Sequence, residues 1–206
     1  MLKKKLLGSA VGLCLLSSCA LADENSGFYL GLEGGYIHSA YKQVVTDIFG
    51  FSVTSPTESL NGFNLGAKLG YRFTENHRMY FNIGSDMGLS IPDDGGDVDI
   101  STMRYILGYD FTPSITDSFR GVLGLYAGYT TLKTKFNFLG ATENINYGGV
   151  VGGAKVGAMY EINANNELEL GLKYEGMNLE NTTELALKTE PKPTNLHLYV
   201  GYAYRF

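Results

Sequence analysis

Residues that commonly carry chemistry are sparse in this 206-residue chain, which has three histidines and two cysteines. A hydrolase that acts through a serine needs a histidine and an acid beside that serine. His38, His77 and His197 show no such spacing with a serine and an acid, and no nucleophile elbow, phosphate-binding loop or paired-cysteine motif accompanies them. The sequence therefore predicts a protein that is not an enzyme and needs no cofactor.

One acidic stretch, IPDDGGDVDI, has the residue types of a calcium site. Asp93, Asp94, Asp97 and Asp99 could supply the several oxygen ligands that this cation takes. The same residues suit a solvated turn, and we favour that interpretation, so no metal site is predicted.

The N-terminus has the order of a secretory signal peptide. Three lysines precede an apolar stretch from Leu6 to Leu16, and Ala20 and Ala22 form a cleavage site before Asp23. We assign residues 1–22 to the signal peptide and 23–206 to one domain. An alternative is a lipoprotein signal, in which Cys19 would carry the lipid.

Cleavage after Ala22 would change the composition of the exported chain. Cys14 and Cys19 would be lost, so no disulfide is expected. Without Lys3, Lys4 and Lys5, 13 basic residues face 21 acidic ones, a net charge of −8. A chain this acidic argues against a nucleic-acid partner.

The remaining chain reads as an all-β protein, with 27 glycines, 15 tyrosines and 11 phenylalanines. In NGFNLGAKLGYRF, apolar residues alternate strictly with polar residues and glycine. Eight segments share this period of two: 27–38, 61–73, 78–90, 99–111, 119–132, 148–162, 167–178 and 194–206. Short turns and longer segments alternate between them, which predicts an eight-stranded antiparallel up-and-down transmembrane β-barrel.

The polar face of these strands carries glycines and charged side chains, which we expect inside the barrel. Eight strands enclose a space that side chains can fill, so the interior is predicted to be a plug of ion pairs. Its members are Glu33, Lys68, Arg72, Asp86, Arg104, Asp110, Arg120, Lys155, Glu161, Glu169, Lys173, Glu175 and Arg205.

The longest connecting segment, 39–60, is more apolar than a solvated loop requires. Its apolar residues could contact a partner, or the segment could fold back as an extended hairpin. The residues of this candidate partner site are Ile48, Phe49, Phe51 and Val53. The second long segment, 181–193, is polar and suggests a mobile cap.

The signal, the eight strands and the terminal Tyr202-Ala203-Tyr204-Arg205-Phe206 together resemble small outer-membrane β-barrel proteins of the OmpA/OmpX type. The stretch SGFYLGLEGGY is also similar to the Hop/Hor-type outer-membrane proteins. The resemblance implies a bacterial outer-membrane location with both termini in the periplasm. It also implies that Tyr202, Tyr204 and Phe206 are the signal for the barrel-assembly machinery.

The same resemblance implies a function and partners. We expect a structural and surface-interaction role, such as adhesion, through the extracellular loops. Outer-membrane lipid and lipopolysaccharide would surround the barrel, and a host or surface ligand could bind the loops. A small-solute channel and a lipid A-modifying acyl hydrolase are the alternatives.

Overall fold

The computed structural model describes residues 26–46, 52–54, 56–93, 96–138, 141–181 and 188–206. These residues form strands, numbered here in chain order: β1 (Gly27–Tyr41), β2 (Gln43–Thr46), β3 (Ser52–Thr54), β4 (Glu58–Thr74), β5 (His77–Asp93), β6 (Gly96–Phe111), β7 (Phe119–Phe138), β8 (Ala141–Asn163), β9 (Asn166–Asn181), β10 (Lys188–Pro191) and β11 (Thr194–Arg205). Within the described ranges, no helix is long and apolar enough to cross a membrane.

Eight of the strands close into one antiparallel barrel, in the order β1-β11-β9-β8-β7-β6-β5-β4. The first and last strands close it, with pairs that run from Tyr29–Arg205 to Ala40–Thr194. Each of the eight predicted segments overlaps one of these strands, so the predicted fold class is confirmed.

The two ends of the barrel differ, as the alternation of short and long connections predicts. At the turn end, β4 connects to β5, β6 to β7 and β8 to β9, and both Gly27 and Phe206 lie there. The opposite end, here called the loop end, carries the longer strand extensions. β7 ends at Phe138 and β8 begins at Ala141, whereas the predicted segments ended at 132 and resumed at 148. A predicted long loop is thus a paired hairpin.

A small second sheet connects the first and last long segments at the loop end. Its order is β10-β2-β3, and Lys192 N donates to Lys42 O over 2.8 Å beside it. The predicted mobile cap is therefore partly a strand paired with the first long segment. Of the candidate partner residues there, Ile48, Phe49 and Phe51 lie outside the described residues, and the backbone of Val53 pairs with Val45.

Apolar side chains point outward from the middle of the barrel. Leu65, Leu170 and Leu198 are 58%, 55% and 51% exposed, whereas Lys68 is 7% exposed. A water-soluble barrel would have the opposite arrangement, because burial of apolar surface drives its folding. This outer wall suits hydrocarbon.

Aromatic rings mark both edges of the apolar band. Phe28 and Tyr71 pack at 4.8 Å between centroids at the turn end, and Tyr36 and Phe63 at 6.2 Å on the loop side. From Phe63 to Phe73, β4 advances ten residues. At ~3.3 Å per residue and a tilt of ~40°, this distance gives a band about 25 Å tall, the height usual for a barrel that spans the outer membrane.

Polarity reverses beyond the loop-side ring row. Outward residues there are polar and exposed, as Lys133, Lys135 and Asn178 illustrate. Most of the described inward residues there are apolar and buried, although Ser39 and Thr134 are polar. The apolar ones are Ile37, Leu60, Leu89, Ile100, Leu132, Tyr147, Met177 and Leu179. Strand extensions with an apolar inside and a polar outside have the pattern of a protein in water.

Tyrosine rings inside the barrel lie against glycines of neighbouring strands. Tyr29 pairs with Gly70, and Tyr80 with Gly108. Tyr126 likewise pairs with Gly153, and Tyr199 with Gly171. A Cβ atom built on Gly70 or Gly108 would overlap the ring beside it. The glycines therefore make room for rings as well as for long charged side chains.

One glycine on the predicted inner face has a different role. Gly88 has a φ of 74°, and the β5–β6 register shifts between Asp86 and Leu89. The residue is exposed, and no atom lies within 4 Å of a Cβ built on it. Gly88 thus forms a β-bulge, which turns Leu89 inward.

Replacement of Gly108 tests the packing of rings on glycines. We expect Gly108→Ala to destabilise the barrel by about 1–3 kcal/mol, because the added methyl group would overlap Tyr80. Urea unfolding in detergent micelles, followed by the gel shift between folded and unfolded barrel, measures the change.

Gly201→Ala is the matched control, because Gly201 is also buried but its Cβ would meet its nearest neighbour at 3.6 Å, an ordinary contact. Its stability should be unchanged or slightly raised. Equal losses in the two variants would show that strand glycines matter here for another reason.

Candidate functional site in the barrel interior

The barrel interior gathers charged side chains from its strands into one network. Of the described residues, seven bases and seven acids take part, and all but the half-buried Glu161 are buried. The bases are Lys68, Arg72, Arg78, Arg104, Arg120, Lys155 and Lys173, and the acids are Glu33, Asp86, Asp110, Glu161, Glu167, Glu169 and Glu175. The charges balance, as a low-dielectric interior requires.

The group nearest the turn end is built around two arginines. Arg78 donates through Nε to Asp110 over 2.9 Å and also binds Glu167 and Glu169. Arg72 binds Glu167 at 2.5 Å and Glu161 at 3.1 Å. The pairs with Glu161, Glu167 and Glu169 connect β4 and β5 with β8 and β9, across the barrel.

The middle group contains three lysine ammonium groups, each of which lies near the ring of Tyr80 or Tyr199. Glu33 binds both Lys68, at 2.5 Å, and Lys173. Lys155 binds Asp110 at 2.9 Å and Glu169 at 3.0 Å. The Lys155 Nζ atom lies 4.7 Å from the ring centroid of Tyr80, close enough for a cation–π interaction.

The group nearest the loop end centres on Arg104. This arginine binds Asp86 at 2.5 Å and Glu175 at 2.6 Å, and the second pair crosses the barrel from β6 to β9. Asn195 Nδ2 donates to Glu175 at 2.9 Å, and His197 lies 3.0 Å from the same carboxylate.

Apolar residues of the loop-end extensions complete the filling of the interior. Ile37, Leu132 and Leu179 are buried above the Arg104 group. Two cavities lined by network residues hold about 10 Å³ each, which is room for about one water molecule. Ion pairs and packed side chains therefore occupy the space that a pore would need.

The structure brings eleven of the predicted interior residues into ion pairs at 3.1 Å or less: Glu33, Lys68, Arg72, Asp86, Arg104, Asp110, Lys155, Glu161, Glu169, Lys173 and Glu175. Arg120 instead holds the turn end, where its guanidinium donates to the carbonyls of Thr112 and Glu75 at 3.2 and 2.7 Å. Arg205 lies at the rim, half-buried, and donates to the Ala164 carbonyl at 2.9 Å.

Two residues of the network, Arg78 and Glu167, were missed from the sequence. Both continue a two-residue alternation, since Arg78 precedes the inward Tyr80 and Glu167 precedes the inward Glu169. Each lies beside a turn, where the alternation is short and easily disregarded.

The three histidines have partners other than a serine in the described structure. His38 Nδ1 contacts Asn61 at 2.8 Å, and His77 Nδ1 contacts the Tyr109 hydroxyl at 2.5 Å. The buried His197 contacts Asn64 at 2.9 Å and Arg104 at 3.2 Å. These contacts do not form the arrangement of a hydrolase.

Other predicted residues lie at the edges of the described structure or beyond it. Tyr202, Tyr204 and Phe206 face outward at the turn end, where Phe206 N donates to Phe28 O over 3.0 Å. Ala20 and Ala22 lie outside the described residues, as do Cys14, Cys19 and Asp94 of the aspartate stretch. Within the described ranges, no group of three or more metal-ligating side chains occurs.

A closed antiparallel barrel with an apolar outer wall, two rows of aromatic rings and a charged interior defines an outer-membrane β-barrel protein. More particularly, residues 8–206 match the model of the outer membrane protein beta-barrel domain, and the chain belongs to that family. The predicted resemblance to small outer-membrane barrels is thereby confirmed. No curated protein matches the sequence significantly.

Solved structures show the same fold at low sequence identity. Neisserial surface protein A is 15% identical with a TM-score of 0.58, and the alignment covers 88% of this chain and 99% of that one. The outer membrane protease OmpT of Escherichia coli is 8% identical with a TM-score of 0.50, covering 87% and 97%. The attachment invasion locus protein Ail of Yersinia pestis is 18% identical with a TM-score of 0.47, covering 87% and 99%.

Arg78 offers a direct test of the network. We expect Arg78→Met to reduce the free energy of unfolding by about 3–5 kcal/mol, because Asp110, Glu167 and Glu169 would lose a buried partner. The measurement is urea unfolding of the barrel in micelles.

Arg205→Met is the control, since Arg205 is only half-buried and hydrogen bonds to a turn carbonyl. Its loss should be clearly smaller. If the two variants unfold at the same urea concentration, the buried network does not govern the stability of the barrel.

Proposed function

We propose that this protein is a closed barrel with a structural role in the bacterial outer membrane and a surface-interaction role, such as adhesion, at its loop end. The observation that carries this proposal is the filled interior. The Arg104–Glu175 and Arg72–Glu167 pairs join opposite walls, and apolar side chains lie above them. An interior of this kind favours an anchor over a passage for solutes.

The loop end is the proposed surface for partners. The first and last long segments pair there in one small sheet, which consists of β10, β2 and β3. The reversal of polarity along the strands supports the placement of this region in water. A host or surface ligand is the proposed partner for the loop end, and lipid and lipopolysaccharide are the proposed partners for the wall below it.

The proposed orientation places the turn end and both termini in the periplasm. Tyr202, Tyr204 and Phe206, the proposed signal for the barrel-assembly machinery, face outward at this end. Residues 1–22 are the proposed signal peptide.

The two alternatives have less support. A small-solute channel needs a continuous path, and the cross-barrel ion pairs lie in its way. A lipid A-modifying hydrolase needs an accessible serine and histidine. His197 is buried among Asn64, Arg104 and Glu175. His38 is exposed, but its Nδ1 contacts Asn61 instead of a serine. The fold similarity to a protease does not transfer its activity, because one fold supports many functions.

Single-channel conductance distinguishes the proposed anchor from the alternative, a small-solute channel. We expect the wild-type protein to give no steady single-channel current in planar bilayers. The double variant Arg104→Ala/Glu175→Ala removes one cross-barrel pair with balanced charge, and its openings should be more frequent. Steady current from the wild-type protein, equal to that of the double variant, would support the channel instead.

Thiol labelling of intact cells tests the orientation. We expect Lys133→Cys, exposed on the β7 extension, to react with a membrane-impermeant maleimide. Asp117→Cys, exposed in the β6–β7 turn, should react only after the outer membrane is permeabilised. Both substitutions are at exposed sites, so neither should impair folding. The reverse pattern would invert the proposed topology and remove the loop end from the cell surface.

A further inference from the structure

A small cavity lies between the middle group and the loop-end group of the ion-pair network. Its walls include Asn82, Arg104, Lys173, Glu33 and Glu175, each at least nine-tenths buried. The cavity holds about 10 Å³, which suits one water molecule and little else.

Two of the residues that line this cavity each have a side-chain donor that lacks an acceptor within the described part of the chain. The donors are Nδ2 of Asn82 and Nε of Arg104. The other guanidinium nitrogens of Arg104 are engaged, with Nη2 bound to Asp86 and Nη1 to Glu175. A buried donor without an acceptor is costly, so each of these two groups needs a ligand that accepts a hydrogen bond.

We propose that this cavity is a hydration site, in which one ordered water molecule accepts hydrogen bonds from Asn82 Nδ2 and Arg104 Nε. The water can donate its own two hydrogens to the carboxylates of Glu33 and Glu175, which also line the cavity. It thereby connects the middle group of the network to the loop-end group. The proposal does not depend on the surface role at the loop end.

The charges around the cavity select water over an ion. A cation would face the Arg104 guanidinium and the Lys173 ammonium, besides the two donors that need an acceptor. An anion would lie beside the carboxylates of Glu33 and Glu175. A water molecule can accept hydrogen bonds from the two donors and donate hydrogen bonds to the two carboxylates, because it accepts two and donates two.

Water-selective NMR on the 15N-labelled protein in lipid bilayers tests the proposal. Magnetisation transferred from water should reach the Nε–H group of Arg104. The Nε–H group of Arg78 is the internal reference, because it borders the other small cavity but its single hydrogen is already donated to Asp110 over 2.9 Å. We expect a clear signal for Arg104 and a much weaker one for Arg78.

Two variants localise the signal to the cavity. In Asn82→Leu, a side chain of similar size fills the position without a polar group, and the Arg104 signal should fall to the level of Arg78. Asn82→Ala removes the same amide but enlarges the cavity, so the signal should persist. Loss of the signal in folded Asn82→Ala would overturn the proposal even if Asn82→Leu fails to fold. Absence of the Arg104 signal in the wild-type protein, or its full retention in folded Asn82→Leu, would overturn the proposal.

Discussion

Hydrocarbon accepts neither an unpaired backbone group nor a bare charge, and this constraint determines the other features of the molecule. It requires the sheet to close, which the pairing of β1 with β11 achieves by giving the first and last strands a partner. It also requires every charged side chain in the membrane-spanning part of a strand to point inward. Because strand side chains alternate, the outward leucines and the inward charges of one strand are two consequences of the same requirement.

Closure with only eight strands creates a second constraint, since the charges turned inward share a narrow space without bulk water. They must neutralise one another, and the balanced network does so, with Arg78 serving three carboxylates at once. Space is equally limited. Tyr80 fits because Gly108 faces it, so a small residue on one strand is paired with a large one on the next. Buried ion pairs contribute little net stability over apolar packing, but removal of one partner strongly destabilises the fold because the other charge stays buried and unpaired. The interior therefore favours one register strongly over its alternatives.

The barrel could be predicted from the sequence because a period of two and the alternation of short and long connections are local signals that the structure retains. Most of the interior charges could be placed by the same parity, and Arg78 and Glu167 were within its reach. The pairing itself could not be predicted, because which carboxylate meets Arg104 depends on the barrel's register and curvature. The β7–β8 extension was not foreseen for a related reason. Leu132, the last residue of the predicted segment, and Tyr147 are inward and apolar, so the expected pattern of apolar outside and polar inside ends there although the strands continue.

That change of pattern bears on function. Along β7, the outward residues change from Leu125 and Tyr129 to Lys133 and Lys135, while the inward Leu132 is apolar and buried. A strand that continues after its polarity reverses has left hydrocarbon and entered water, because only then does burial of apolar residues inside stabilise it. The extension costs chain length and ordering entropy without adding to the membrane anchor. A barrel that needed only to anchor itself could end at the ring row, so the extension and the sheet beside it are features that the proposed surface role would require.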